Sequence, residues 1–315
     1  MQLLRKLLPS RTASGQVVTI GSFDGLHVGH RELLNRALSH AQVRGLASVM
    51  LTFEPLPREF FSPQSPPPRL SCLRERYRLL QGTGLDTLCV LRFDAALRQM
   101  DAQAFAGLLQ QAQVRQVVVG HDFKAARDGA ATALWLQQQG PRFGFEVEIV
   151  QPVLVDGLRV SSRAVRAALL AGDLLLAERL LGRRYAMTGR VQRGQQLGRT
   201  LGYPTANLRL SRRSSPCDGI FAVRVHGVHG VRDDATSRRG LPGVASLGTR
   251  PTVQGREPLL ETHLFDFEGD LYGQEIEVEF VARLRGEQHF DSLDLMVEQI
   301  HRDAAQARAV LAADR

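Results

Sequence analysis

The rule that spaces the apolar residues changes once along this 315-residue chain, near Arg184, and the change restricts its architecture more than any other feature. Before it, short strand-like runs at residues 17–20, 47–53, 87–93 and 117–119 alternate with helix-like stretches. In the first of these, Leu33, Leu34, Ala37, Leu38 and Ala41 recur at helical spacing and Gly45 stands where a helix stops. Further helices are expected from about Ser71, near Asp101, and over residues 162–171 and 174–181. Such β-α-β alternation predicts an open parallel sheet with helices on both faces, ligands lying beyond the carboxyl ends of its strands. After Arg184, alternating strands at residues 186–191, 221–225, 259–267 and 276–284, divided by glycine-rich turns, predict an antiparallel sheet or small barrel. A last helix carries Leu293, Met296, Val297, Ile300, Ala304, Ala307 and Leu311 on one face, suited to packing across that barrel. The length, about twice that of a typical domain, fits two domains.

Charge divides at the same place. Residues 1–183 hold 22 Lys and Arg against 15 Asp and Glu, a balance of +7, whereas the remainder balances at +1. The basic half suits an anionic partner: nucleic acid, membrane surface or nucleotide phosphate. Aromatics form only 6% of the chain, a poor supply for stacking single-stranded bases. Cys72, Cys89 and Cys217 are odd in number and form no C-x-x-C pair, which argues against disulfides and thiolate zinc and for a reducing cytoplasm. No apolar stretch approaches the roughly 18 residues that span a bilayer. A cytoplasmic protein is expected.

The strongest chemical signal is GSFDGLHVGH at residues 21–30, which follows a strand and opens a helix. Backbone N–H groups and the positive end of the helix favour phosphate there. Gly25 and Gly29 permit tight turning. His27 and His30 lie three apart, so both imidazoles can address one phosphate and stabilise charge on a transferring phosphoryl group. Spacing alone is weak: His226 and His229 repeat it in a glycine-flanked turn where no role is assigned. Zinc also stays open for His27 and His30, although no thiolate cluster or H-E-x-x-H accompanies them. The loop over residues 55–68 holds six of the 14 prolines, a stiff connection or a lid over a site.

The pattern G-x-F-D-G-x-H-x-G-H resembles the nucleotidyltransferase signature, in the variant carried by prokaryotic FAD synthetases. TFEPLPREFF (residues 52–61) is similar to that family's flavin-contacting loop, RLSCLRER (69–76) follows in the family's order, and VSSRAVR (160–166) resembles its second phosphate motif. The resemblance implies ATP contacts at Gly21, Phe23, Asp24, Gly29, Ser161 and Ser162. It places His27, His30 and Arg166 on the reacting phosphates, Arg166 as a bidentate clamp. It implies flavin contacts at Pro55, Pro57, Asp122 and Phe123.

A second, unrelated motif set follows. GRVQRGQQLGRTLGYPTANL (189–208) resembles the riboflavin kinase signature, in which Gly194, Gly198 and Gly202 let backbone approach ADP phosphates. Thr205 and Asn207 offer hard oxygen ligands suited to Mg²⁺. LETHLFDFEGDLYG (260–273) resembles the segment bearing the catalytic carboxylate, which maps to Glu261; GVASLGTRPTV (243–253) and LRGEQHFDSL (284–293) match as well.

Together the motifs imply a bifunctional riboflavin kinase/FAD synthetase. A Rossmann-like α/β adenylyltransferase domain would run to residue 183, and an antiparallel β-barrel kinase domain with a C-terminal helix over residues 184–315. Riboflavin, FMN and ATP are the expected small-molecule partners, Mg²⁺ the metal, FMN and FAD the products, with neither nucleic acid nor membrane bound. The chain departs from the pattern at residues 120–132. There Ala125 and Ala126 replace Phe-Gly, and Ala131 and Thr132 replace Gly-Asp; Ser246 stands where many members have Asn. Those departures keep one rival open, a monofunctional riboflavin kinase whose first domain only binds nucleotide.

Overall fold

A computed structural model of the chain describes residues 1–10, 14–194, 201–230, 239–252 and 255–314. They form two compact units, one of residues 1–67 and 73–161, the other of residues 68–72 and 162–315.

The first unit is built on strands β1 (Gln2–Leu4), β2 (Gln16–Ile20), β3 (Ala47–Glu54), β4 (Thr87–Arg92), β5 (Val114–Gly120) and, beyond a short hairpin of β6 (Lys124–Ala125) with β7 (Ala131–Thr132), β8 (Glu146–Val150). All six long-sheet strands pair in parallel, in the order β1-β4-β3-β2-β5-β8. Helices α1 (Val28–Arg44), α2 (Pro57–Phe61), α3 (Leu73–Leu80), α4 (Ala95–Gln99), α5 (Ala102–Gln111) and α6 (Ala133–Gln139) lie between strands, and a two-residue hairpin of β9 (Leu154–Val155) and β10 (Leu158–Arg159) ends the unit.

Successive strand residues feed opposite faces. Val17 joins a core with Leu33, Leu34 and Ala37 of α1, whereas Val18 joins one with Phe105 and Leu109 of α5 and Leu136 of α6. Both faces are covered, which is why these strands read as unbroken apolar runs. The chain builds outward from β2 through β3 and β4, then crosses to β5 on β2's other side. The resulting switch point puts the crevice for ligands beside the turns after Ile20 and Gly120. The edge strands β1 and β8 were not expected from sequence: one has three residues, and the other alternates Glu146 and Glu148 with apolar residues.

The second unit opens with α7 (Ser162–Ala171) and α8 (Leu174–Leu181). Strands β11 (Ala186–Gln192), β12 (Ala206–Leu210), β13 (Gly219–His226), β14 (Leu241–Thr252), β15 (Gly255–Leu264) and β16 (Glu275–Arg285) then close an antiparallel barrel in the order β11-β12-β15-β14-β13-β16. Leu208, Leu247, Leu260, Phe221, Val223, Val278 and Phe280 are buried. Between them, alternate positions such as Asn207, Ser246, Glu261 and His263 are half-buried and face the other way. Helix α9 (Leu293–Ala313), capped by the Ser292 hydroxyl on Leu295 N–H at 3.3 Å, buries Ala304, Ala307 and Leu311 with Ala222 and Phe265. Its expected apolar stripe divides: Leu293 is exposed, and Met296 and Ile300 line a cavity described below.

The hairpin of β6 and β7 carries one strained residue. Ala126 sits at φ 64°, ψ −179°, a conformation that a Cβ disfavours and glycine adopts freely. Strain of this kind costs about 1–3 kcal/mol, more than the 0.4–1 kcal/mol of chain entropy that glycine returns to the unfolded state. Ala126→Gly is therefore expected to stabilise the first unit by about 1 kcal/mol in urea unfolding followed by fluorescence of Trp135, the chain's one tryptophan. Destabilisation would show that the backbone here is unstrained.

Candidate active sites

Strand β2 ends at Ile20, and the Gly21 N–H donates to the Leu51 carbonyl at 3.1 Å. The turn that follows is held from beneath. Phe23 and Leu26, both at positive φ, bury their side chains in the α1-side core, at 0% and 2% exposure. A Cβ on Gly21 would come within 3.2 Å of the Phe23 ring. Phe23, expected at the ATP site, can therefore serve it through its backbone or by backing the His30 ring, which it meets edge-on at 5.2 Å. Asp24 is buried.

His27 caps α1: its Nδ1 accepts the His30 backbone N–H at 3.2 Å, so in the neutral ring the proton sits on Nε2, a donor. The His27 and His30 rings stack, with centroids 3.6 Å apart and planes 14° from parallel. A Cβ on Gly29 would lie 3.3 Å from His27 Nδ1, so this glycine leaves room for the ring. His30 Nδ1 is buried without a hydrogen-bond partner. Burial first, then the neighbouring His27 and Arg76, hold the His30 pKa well below its ordinary 6.5, so the ring is neutral at pH 7.

Arg76 was not among the expected site residues. It is 1% exposed, and donates from Nη1 to the Ser22 carbonyl at 3.1 Å and the Thr52 hydroxyl at 2.9 Å, and from Nη2 to Glu54 at 2.9 Å. One guanidinium thus ties the turn after β2 to the end of β3. The signal was in the sequence: Leu73, Arg76, Tyr77 and Leu80 share an i, i+3, i+4, i+7 stripe, with a charge where core belongs.

The residues expected to meet flavin follow the carboxyl ends of β3 and β5. The Glu54–Pro55 peptide bond is cis, Pro55 is exposed, and Pro57 begins α2, where Glu59 accepts the Leu56 N–H at 3.0 Å. Asp122 is exposed and paired with Arg159 at 2.6 Å; Phe123 is half-buried against the α5-side core. Thr132, in place of the expected Asp, keeps the capping chemistry of that position by accepting the Trp135 N–H at 3.1 Å. Ser161 closes the first unit. Ser162 and Arg166 belong to α7 in the second, where Arg166 Nε donates to the Pro68 carbonyl at 2.6 Å.

In the barrel, pairing register does the assembling. Asn207 of β12 lies opposite Glu261 of β15, and Glu261 lies opposite Ser246 of β14, so three polar residues form one row across three strands. They line a cavity of about 500 Å³ together with Gly194, Thr205, Phe290, Met296 and Ile300. A Cβ on Gly194 would fall 2.5 Å from Asn207 Nδ2, so this glycine makes room for the amide. Gly202 takes a left-handed turn at φ 81°; Gly198 lies outside the described residues. Among the described residues no three His, Cys, Asp or Glu are grouped to hold a metal ion, which leaves His27 and His30 without the further ligands that zinc requires.

Residues 10–164 match the family model described as FAD synthetase, and residues 181–311 match that of riboflavin kinase. The bifunctional riboflavin kinase/FMN adenylyltransferase of Escherichia coli (strain K12) is 42% identical over 312 residues, covering 98% of this chain and 97% of the relative. The chain belongs to this bifunctional family. The relative from Pseudomonas fluorescens is 44% identical over 316 residues, covering 99% of this chain and 98% of its own. A crystal structure described as a macrolide-efflux protein from Streptococcus pneumoniae is 32% identical with a TM-score of 0.78, covering 96% of both chains. The family unites a kinase and a nucleotidyltransferase in one chain, the pairing implied by the two motif sets in their order. Use of ATP with Mg²⁺, and FMN and FAD as products, come with membership. Among the described residues no helix is long and apolar enough to cross a membrane.

The neutral state of His30 has a measurable sign. The unfolded chain protonates this residue near pH 6.5, and the folded chain only at lower pH. Below about pH 6.5 the unfolded state binds more protons, so stability falls on acidification, by at most about 1.4 kcal/mol per pH unit until the folded pKa is passed. In urea unfolding followed by Trp135 fluorescence, His30→Asn is expected to flatten this acid-side loss relative to wild type; parallel pH profiles would show that His30 titrates normally.

Proposed function

We propose that the chain makes FMN in the barrel cavity and FAD at the turn after β2, with the kinase domain beginning at Arg184. The observation that best supports this reading is the row Asn207–Glu261–Ser246, which sets a carboxylate beside an amide carbonyl in a cavity of nucleoside-sized volume. Glu261 accepts the proton of the riboflavin 5′-hydroxyl as its oxygen bonds to the γ-phosphorus of ATP and ADP leaves. The Thr205 hydroxyl and the Asn207 amide oxygen are neutral, hard donors. They fit an ion that Mg²⁺-binding sites share with substrate phosphates and water, and poorly fit zinc. Bound there, Mg²⁺ would neutralise phosphate charge.

At the first site no protein nucleophile is required. An FMN phosphate oxygen bonds to the α-phosphorus of ATP, and pyrophosphate departs along that line. His27 offers Nε2–H to the phosphates, and His30 brings a buried ring nitrogen that has no protein partner. Removal of water makes such donors stronger than in bulk, and orientation alone is worth roughly 7–11 kcal/mol. Flavin contact at Pro55, Pro57, Asp122 and Phe123 completes the reading of this turn, and phosphate contact is assigned to Ser162 and Arg166 of α7. Asp122 would exchange its ion pair with Arg159 for ligand.

Each site has its own variant. Glu261→Gln is expected to cut FMN formation from riboflavin by roughly 10²–10⁴-fold while FAD formation from supplied FMN persists. His30→Ala is expected to do the reverse. Products separated by chromatography decide the matter: equal loss of both activities in either variant would mean that the residues do not serve separate sites. Absence of FAD from wild-type protein at saturating FMN would leave the kinase alone.

A further inference from the structure

We infer that His263 is a positioning residue of the kinase, holding the segment that carries Thr205, with Tyr203 and His301 steadying the same segment from α9. The inference rests on the proposed role of Thr205.

Residues 203–205 lie between the left-handed turn at Gly202 and the first residue of β12, outside the barrel ladder. Asn207 is placed by strand register, but Thr205 is not, and Pro204 has no N–H to give to a turn. What fixes this stretch is side chains. His263 Nδ1 bonds the Pro204 carbonyl at 2.9 Å, and because a carbonyl only accepts, the proton of the ring must sit on Nδ1. Two residues before His263 on β15 is Glu261, and alternate strand residues share a face. The strand that presents the carboxylate therefore also grips the peptide just before Thr205, which fixes the spacing between the two groups.

The other side of the segment is held by aromatic contacts. The Tyr203 ring stands edge-on to His263 at 5.0 Å and to His301 at 5.3 Å, and its hydroxyl bonds His301 Nδ1 at 2.6 Å. His301 follows Ile300, which lines the cavity, so α9 is joined to the catalytic segment as well as packed on the barrel.

The test uses full-length protein and riboflavin phosphorylation measured against Mg²⁺ concentration, with thermal unfolding of each variant followed by circular dichroism as the check on folding. Asn puts an amide N–H near the place of Nδ1, Gln puts one near Nε2, and Leu supplies none. His263→Leu and His263→Gln are expected to lower kcat by about tenfold and to raise the Mg²⁺ concentration for half-maximal rate, as loss of one fixed hydrogen bond permits. His263→Asn is expected to restore most of both, and Tyr203→Phe to cost roughly 3-fold. If Leu fails the folding check, the Asn and Gln pair decides alone. Equal behaviour of Asn and Gln, or lowered kcat with an unchanged Mg²⁺ requirement, would overturn the positioning role. Thr205→Ala, measured beside them, separates the two ideas: if it changes neither kcat nor the Mg²⁺ requirement, the reading of Thr205 itself fails and this inference falls with it.

Discussion

In a closed antiparallel barrel the side chains alternate between an interior that must be filled and an exterior that something else must cover. That alternation governs the second unit. Leu260, Thr262 and Leu264 turn inward on β15, so Glu261 and His263 turn outward together. The same alternation turns Asn207 outward on β12 and Ser246 on β14, and register lines them up. The interior is spent on packing, and the half-buried polar row lines the cavity together with Met296 and Ile300 of α9. A slip of one residue on β15 would send Glu261 into the core and Thr262 to the cavity. The placing of this polar row thus depends on hydrogen-bond register before it depends on any individual side chain.

The first unit meets the same need by a different route. Parallel strands buried on both faces leave no outer wall for a site, so polar groups gather at the carboxyl ends of the strands. There a glycine-rich turn is pinned from below by Phe23 and Leu26 and from the side by Arg76, whose guanidinium spans Ser22, Thr52 and Glu54. A buried arginine with a short ion pair adds little net stability, since desolvation offsets most of the attraction. Its effect is to fix one arrangement of two loops and to place a positive charge near His30, whose ring burial and that charge keep neutral.

Much of this was legible in the sequence, and what was hidden has physical reasons. Helices α7 and α8 run over the residues their periodicity marked, because each pairs a clear apolar stripe with a stop at glycine. Edge strands β1 and β8 bury too little to leave a pattern. Strand β14, whose residues read as a family segment rather than as a strand, interrupts its alternation with Gly243, Gly248 and Pro251. Glycines at 194 and 202 were visible as flexible points, but that Gly194 gives way to the Asn207 amide depends on the pairing of neighbouring strands β11 and β12. The pairing of His263 with the Pro204 carbonyl joins residues 59 apart and has no local signature. At residues 125–126 the departure from the family pattern was plain, and its backbone consequence, a glycine-like φ at Ala126, needed coordinates.

The central claim is that riboflavin phosphorylation and FMN adenylylation are carried out by separate sites joined only by FMN. Mixing purified His30→Ala and Glu261→Gln proteins with riboflavin, ATP and Mg²⁺ tests it most directly. Neither variant alone should convert riboflavin to FAD, and the mixture should do so after a lag in which FMN accumulates. If each variant keeps its own half-reaction yet the mixture makes no FAD, the two sites do not work independently and the claim is wrong.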